Sequence, residues 1–342
     1  MTWLLYGASG YTGRLIARRA TALGQRPVLA GRSAAKLVPL AAELGLEHRV
    51  FGLEDAAAVR RGLDGADSVV NCAGPFSRTA LPMVAACFAT GTQYLDITGE
   101  IDVFEALHAR SAEAAKAGIT LLPGAGFDVV PTDCVAALLA GRLPDATQLD
   151  LAFIVGGGAS PGSARTALEG ATDGGRIRVG GEIRTVPLGS RQLQAAFPSG
   201  ARTVRSVPWG DVSTAYHSTG IPDITTYTAV PRAALTASLA LRITPLRGAL
   251  AAVAGRAIRG PGERSVAAGR CEVWGRAADA AGNTVTATLV GPNPYSLTAD
   301  SVLRIVGDLP GLPDGFQTPS RALGADFAGT LDGVTVTVEA LR

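Results

Sequence analysis

Gly7, Gly10 and Gly13 recur at three-residue intervals, with Ser9, Tyr11 and Thr12 between them, directly after the apolar run Trp3-Leu4-Leu5-Tyr6. Such spacing suits phosphate chemistry. A first glycine lets the chain turn sharply, a middle one clears the approach of a diphosphate, and a last one lets the following helix pack close to the strand. Leu15, Ile16 and Ala20 then recur at helical spacing, so the turn opens onto a helix N-terminus, whose free N–H groups and partial positive charge favour an anion. The pattern is G-x-x-G-x-x-G and departs from the G-x-G-x-x-G form, but strand, glycine turn and helix stand in the required order.

A second group of residues bears on which nucleotide would bind. At the end of the next strand, where a carboxylate would hold the ribose 2′-hydroxyl of NAD, the sequence has Gly31-Arg32-Ser33 with Lys36 one turn later. A guanidinium, a hydroxyl and an ammonium accommodate a 2′-phosphate, so NADP(H) is the expected cofactor. Cys72, Ala73, Gly74, Pro75 and Phe76 follow the fourth strand, and their small side chains would let the backbone pass beneath the cofactor. Gly126 and Phe127 occupy the loop after the sixth strand, where the nicotinamide is expected.

Hydride transfer also needs a proton source and a water-excluded acceptor site. No Tyr-x-x-x-Lys dyad exists, because neither Lys36 nor Lys116 follows a tyrosine at that spacing. The proton-carrying side chains singled out are Asp128, Tyr216 and His217, with Tyr94, Asp96, Glu100, Asp133 and Tyr227 as further candidates. Each has an alternative reading: Asp128 and Asp133 could cap the helix that follows them, and Tyr94 could be core. Tyr216 and His217 read as a loop between strands, a setting that favours function. The four cysteines and three histidines show no metal-ligand spacing, so no metal is expected.

Stepping out from these residues, strands are predicted at 3–6, 27–30, 48–51, 68–72, 93–97 and 119–122. Helices at 56–63, capped by Asp55, and at 82–90 and 102–116 separate them, and another follows at 135–140. Strands alternating with helices argue for a parallel, doubly wound sheet. From 149 onward the pattern turns β-rich, with strands at 149–155, 176–179, 182–186, 202–207 and 225–230. A hairpin at 271–289 turns at Ala280-Ala281-Gly282-Asn283, a helix follows at 298–306, and a last strand at 334–338. The fold class is therefore α/β: a Rossmann-type doubly wound parallel sheet, joined to a second α+β domain with a mostly antiparallel sheet. The expected domains are 1–124, 125–310 and a segment at 311–342 that returns to the first. A glycine loop at 156–158 before Pro161 and Arg165 lacks the G-K-[ST] of a second phosphate site.

With 47% apolar and 18% charged residues the chain is globular, and a net charge of +2 argues against nucleic acid as a partner. The turn begins so close to Met1 that no leader precedes it, which together with unpaired cysteines suggests a cytoplasmic protein. The most apolar window, 233–257, is broken by Arg242, Arg247 and Arg256. It suits a core or surface helix better than a membrane span, with peripheral membrane contact left open.

The segments GASGYTG, NCAGPF, YLDITGE and GFDVVPTD, in this order, resemble the saccharopine dehydrogenase-like oxidoreductases, and within them the bacterial branch of trans-acting enoyl reductases. The similarity continues more thinly through 220–223, 291–295 and Thr318-Pro319. What the resemblance implies is an NADP-binding Rossmann domain, a sheet-containing second domain, a homodimer, and hydride transfer to a C=C or C=N bond of a small molecule. A hydrophobic enoyl substrate is the first expectation. The alternatives are a saccharopine-type imine reductase, for which Arg78, Arg165 and Arg176 could face a dicarboxylate, and an NADP(H)-binding sensor or lipid-surface protein without turnover.

Overall fold

A computed structural model describes residues 2–156, 174–230 and 268–341. The glycine loop beyond Gly156, the segment carrying Pro161 and Arg165, and the apolar window at 233–257 lie outside the described residues.

In chain order the elements are β1 (Trp3–Tyr6), α1 (Tyr11–Ala22), β2 (Val28–Gly31), α2 (Ala34–Leu44), β3 (His48–Val50), α3 (Ala56–Leu63), β4 (Ser68–Asn71), α4 (Phe76–Thr90), β5 (Gln93–Asp96), α5 (Ile101–His108), α6 (Ser111–Ala117), β6 (Thr120–Leu122) and α7 (Val130–Arg142). There follow β7 (Ala146–Val155), β8 (Gly175–Val179), β9 (Glu182–Val186), β10 (Gln192–Phe197), β11 (Gly200–Ser206), α8 (Asp211–Thr219), β12 (Asp223–Thr228), β13 (Arg270–Asp279), β14 (Thr284–Pro292), α9 (Pro294–Asp308), β15 (Gly315–Phe316), α10 (Pro319–Leu323) and β16 (Thr335–Val338).

The chain divides into two compact units, Met1–Val130 with Tyr295–Leu323, and Pro131–Pro294 with Gly324–Arg342. The domain limits set from sequence differ from this. Residues 125–130 and 295–310 sit with the first unit, and 324–342 with the second.

The first unit holds a seven-stranded sheet in the order β3-β2-β1-β4-β5-β6-β15, parallel at every described pairing. Strands β1, β2 and β4 are buried along their whole length, as a parallel sheet covered on both faces requires. Leu4, Val69, Tyr94 and Leu121 from the strands share a core with Met83 of α4 and Phe104 of α5. The order in which strands are added reverses between β1 and β4, the switch point beyond which ligands bind in such folds. Among the described residues of the second unit, nine strands form one sheet, antiparallel except where β12 runs beside β7. This is the α/β architecture expected, with a parallel Rossmann sheet and a second, mostly antiparallel one.

Several elements differ from their predicted form. α4 starts at Phe76 and carries Pro82 inside it, because its first turn is held by a residue distant in sequence, Glu100, whose carboxylate accepts from the Phe76 and Ser77 amides at 2.7 and 2.8 Å. The helix expected at 102–116 is two, α5 and α6. The break brings Ser111 to the sheet edge, where its hydroxyl accepts from the Phe316 amide of β15 at 3.0 Å. α7 begins five residues before the predicted 135, and β10 was not foreseen. Tyr216 and His217 lie in no loop: they are part of helix α8, which buries Val212, Ser213, Thr214 and Ala215 and stops at Gly220 in the left-handed region. The run DVSTAYHST has weak intrinsic helix propensity, so burial against β12 and β8 holds this helix where a local pattern could not reveal it.

No helix among the described residues is long and apolar enough to cross a membrane, and no group of His, Cys, Asp or Glu among them is arranged to hold a metal ion.

Candidate active site

The glycine turn after β1 is built as its composition requires. Gly7 has φ +78°, and a Cβ on it would fall 2.9 Å from the backbone of Cys72 and Ala73, so the turn lies directly against the segment after β4. The Gly10 amide donates to the Gly7 carbonyl at 2.9 Å, and a Cβ on Gly13 would meet that carbonyl at 2.5 Å. α1 starts at Tyr11 with Gly10 as its cap residue, which offers no side chain to the helix end, and its first turn has no acidic residue. The first-turn amides of a helix lack intrahelical acceptors, so this end is fitted to an anion from outside. Ser9 adds its carbonyl to the rim, where it accepts from Arg14 Nε at 2.9 Å and so pins a guanidinium beside the turn. No motif in the sequence points to Arg14, because its role depends on folding back by five residues.

At the end of β2, Arg32 and Lys36 are exposed and Ser33 is half-buried. Ser33 is the cap residue of α2, yet its hydroxyl makes no capping bond, which leaves it available to a ligand. Tyr6 marks the floor of this corner. Its hydroxyl donates to the Phe51 carbonyl at 3.2 Å, and burial pushes it up to about 12, with the charges of Glu54 and Arg32 acting on it in opposite senses. Asp55 is the cap of α3, accepting from the Ala57 amide at 2.8 Å, as predicted.

After β4, the Ala73 peptide is clamped from both sides. Its amide donates to Asn71 Oδ1 at 3.0 Å, and its carbonyl accepts from the Thr79 hydroxyl at 2.6 Å. Cys72 precedes it, and burial raises its thiol well above the usual range, so it stays protonated and is no nucleophile. Gly74, Pro75 and Phe76 complete the segment up to the first turn of α4.

The candidate acids separate clearly. Tyr94 is core, its hydroxyl donating to Asp96 Oδ2 at 2.7 Å. Asp96 ends β5 fully buried and also accepts from the Thr98 and Gly124 amides at 2.9 and 3.0 Å. Burial raises it to about 6 against the pull of those donors. Glu100 caps α4. Asp133 and Ser218 are hydrogen-bonded within the second unit.

Asp128 differs from all of these. It lies in the loop after β6, half-buried, and among the described residues no donor reaches its carboxylate. Burial alone pushes it up to about 7. Its carboxyl rests against Gly99 of the neighbouring loop: a Cβ there would come within 3.0 Å of Asp128 Oδ2. The cap role considered for Asp128 is not what the structure shows, since α7 begins at Val130 with no bond from Asp128. The same loop carries Gly126 and Phe127, whose amide donates to Thr298 Oγ1 at 2.9 Å.

Thus Gly7, Ser9, Gly10, Arg32, Ser33, Cys72, Ala73, Gly74, Pro75, Gly126, Phe127 and Asp128 stand on loops after parallel strands of one sheet in the first unit, while Tyr11, Thr12 and Gly13 lie in the first turn of α1, Lys36 in the first turn of α2, and Phe76 at the start of α4. Tyr216 and His217 belong to the second unit. There the Tyr216 ring lies 4.1 Å beneath the Arg178 guanidinium, itself bonded to the Val212 and Gly181 carbonyls at 2.8 and 2.6 Å. His217 meets the Tyr216 ring edge-on at 5.7 Å.

Comparison with known proteins agrees with this geometry. The family model described as saccharopine dehydrogenase NADP binding domain matches residues 3–122, from β1 to β6. Proteins named trans-acting enoyl reductase are 37% identical in Mycobacterium leprae and 34% in Mycobacterium tuberculosis, each over 38% of this chain and 33% of the relative. The chain spans less than half the length of the curated relatives it matches. Among solved structures, the apo saccharopine dehydrogenase (L-Glu forming) of Saccharomyces cerevisiae is similar with a TM-score of 0.63 at 13% identity, over 99% of this chain and 100% of that one. The homospermidine synthase of Legionella pneumophila, solved in complex with NAD, reaches 0.68 at 12% identity, over 99% and 91%. At those identities the likeness is one of fold. Residues 3–122 are thus similar to the NADP-binding domain of saccharopine dehydrogenase.

Proposed function

We propose, from an NADP-binding domain of the saccharopine dehydrogenase type, that the chain is an NADP(H)-dependent oxidoreductase that reduces the C=C bond of an enoyl or other hydrophobic unsaturated small molecule. The observation that carries the reading is the pairing, at the ends of one parallel sheet, of an anion-ready glycine turn with Asp128, a carboxyl that burial pushes up to about 7. The residues fit the cofactor: Gly7 approaches the backbone of Cys72 and Ala73 too closely for a side chain, and the first turn of α1 has neither a side-chain cap nor an acidic residue to compete with a diphosphate. Arg32, Ser33 and Lys36 would hold the 2′-phosphate.

The nicotinamide, when bound, supplies a hydride. The chain supplies the rest. Asp128 delivers the proton that balances hydride addition, so one hydride and one proton saturate the double bond and the carboxylate regains its proton from solvent. Asp96 and Glu100 accept backbone amides and hold the loops on either side of the reacting space. Tyr216 and His217 remain proposals as proton carriers, although Arg178 already engages the Tyr216 ring.

The enoyl assignment draws support from the names of the mycobacterial relatives, and the imine-reducing alternative shares the same cofactor and proton demands. We further assign a homodimer, as the resemblance implies, which light scattering after size exclusion checks, and a cytoplasmic setting, as the cysteine usage suggests. Steady loss of NADPH absorbance with a panel of α,β-unsaturated thioesters and ketones tests the main reading. Turnover only with amino-acid imines would favour the saccharopine-type alternative, and binding of NADPH with no turnover across both panels would favour a sensor.

A further inference from the structure

The loop that carries Asp128 is suspended from two elements. At its start, the Gly124 amide donates to Asp96 Oδ1 at 3.0 Å and the Ala125 amide to the Asp96 carbonyl at 2.8 Å. At its end, the Val129 and Val130 amides bond back to the Gly124 and Gly126 carbonyls at 3.0 and 2.9 Å. Between them the Phe127 amide, immediately before Asp128, donates to Thr298 Oγ1 at 2.9 Å, from a residue 171 positions away on α9. Thr298 is 7% exposed, and its side chain is fitted to the loop: a Cβ on Gly126 would stand 2.9 Å from its methyl and 3.0 Å from its hydroxyl. α9 is itself anchored within the first unit. Asp300 accepts from Arg19 Nη2 of α1 at 2.7 Å and from Arg304 Nε at 3.2 Å, and Tyr295 meets Tyr11 of the glycine turn edge-on at 4.9 Å.

We propose that Thr298 is a positioning residue which, through the Phe127 amide, fixes where the Asp128 carboxyl stands. This rests on reading Asp128 as the proton donor. The geometry favours an acceptor role for the hydroxyl over simple packing, because without it a buried backbone N–H next to Asp128 loses its partner and the loop must move to find another. A displacement of that kind is costly in rate well beyond its size.

The charged groups around Asp128 are otherwise settled. Asp96 is held by three donors, Glu100 by the Phe76 and Ser77 amides, and Asp300 of α9 by two arginines, and no neighbouring charge contributes to the raised Asp128 carboxyl.

The test compares Thr298→Val, which keeps the shape and removes the acceptor, with Thr298→Ser, which keeps the acceptor and removes the methyl, in the full chain. Calorimetry reads NADPH affinity, steady-state kinetics read kcat and KM, and carbon-13 NMR reads the Asp128 carboxyl titration, assigned by the signal lost in Asp128→Asn. Thr298→Val should lower kcat roughly tenfold, leave NADPH affinity within about twofold and move the Asp128 midpoint by roughly half a pH unit or more. Thr298→Ser should stay near the parent in all three. If Thr298→Val does not fold, Thr298→Ala replaces it, because alanine and serine differ here by the hydroxyl alone. A Thr298→Val protein with the parent kcat and titration, or a Thr298→Ser protein that fails as badly as Thr298→Val, overturns the proposal. A parent chain that binds no NADPH sinks the proposed function instead, while the carboxyl titration still decides the role of Thr298.

Discussion

Asp96 ends β5 and Asp128 follows β6, and the protein treats these neighbouring carboxyls in opposite ways. Asp96 is fully buried and takes three donors, from Tyr94, Thr98 and Gly124. Asp128 is half-buried, and among the described residues it takes none. Burial raises both, to about 6 and about 7, but only at Asp96 do hydrogen bonds pull back. A carboxylate surrounded by donors is fixed in place and ties two loops to one strand end. A carboxyl without donors, raised by burial until both its forms are populated near neutral pH, is free to exchange its proton with something else. The pair shows why a titration shift alone does not identify a catalytic acid: the hydrogen-bond partners decide it.

Replacement of each carboxyl in turn is the strongest way to break the comparison. Asp128→Asn should lower kcat by about 10²–10⁴-fold while NADPH affinity holds, as seen by steady-state kinetics beside calorimetry. An Asn variant with the parent kcat would leave Asp128 no part in proton transfer. Asp96→Asn should act on the fold. With Nδ2 in place of Oδ2, the two amides keep their acceptor, but the buried Tyr94 hydroxyl loses the charged acceptor it donates to, at a cost of about 1–3 kcal/mol in chemical denaturation. If Asp96→Asn instead kept its stability and lost its rate, the roles of the two residues would be exchanged.

A change at the far end of the site sharpens the contrast, because it should disturb neither carboxyl. Arg32→Ala should weaken NADPH roughly 10- to 100-fold, or about 1.4–2.7 kcal/mol, and leave NADH affinity unchanged by calorimetry. Equal loss for both nucleotides would place Arg32 away from the 2′-phosphate.

The smallest effect is on stability against pH. Unfolded, Asp128 loses its proton near pH 4, while in the folded chain it keeps it up to about 7. The folded state thus binds the extra proton across that window, so its stability falls as pH rises from about 4 to 7 and then levels off. Allowing for partial exposure, the loss is on the order of 1–2 kcal/mol. Asp128→Asn should lack this loss and melt higher than the parent at pH 8, with no advantage at pH 4. Parallel melting curves for the two proteins across this range would show that Asp128 titrates normally. In the reductive direction, the parent's rate should also fall as pH rises through about 7, because the acid form is lost.

How legible all this is in the sequence depends on the range of the interactions involved. The order of β1, glycine turn and α1, the Asp55 cap of α3 and the alternation that gives the parallel sheet are local, and short periodic patterns carry them. Asp128 is marked in the sequence as a candidate, but the reason it matters, a lack of donors, belongs to the packed loop. Glu100 as the cap of α4 acts across 23–24 residues, which is why the start of that helix at Phe76 is hidden. Thr298 acts across 171 residues, and no pattern near it points to the loop it holds. α8 is missed for a related reason: its small polar residues are helical because the second sheet buries them.

Nucleotide binding underlies every role assigned above, and calorimetric titration of the intact chain with NADPH and with NADH tests it most directly. NADPH should bind with a Kd of about micromolar or below, and NADH about tenfold or more weaker. No heat of binding from either nucleotide would contradict it.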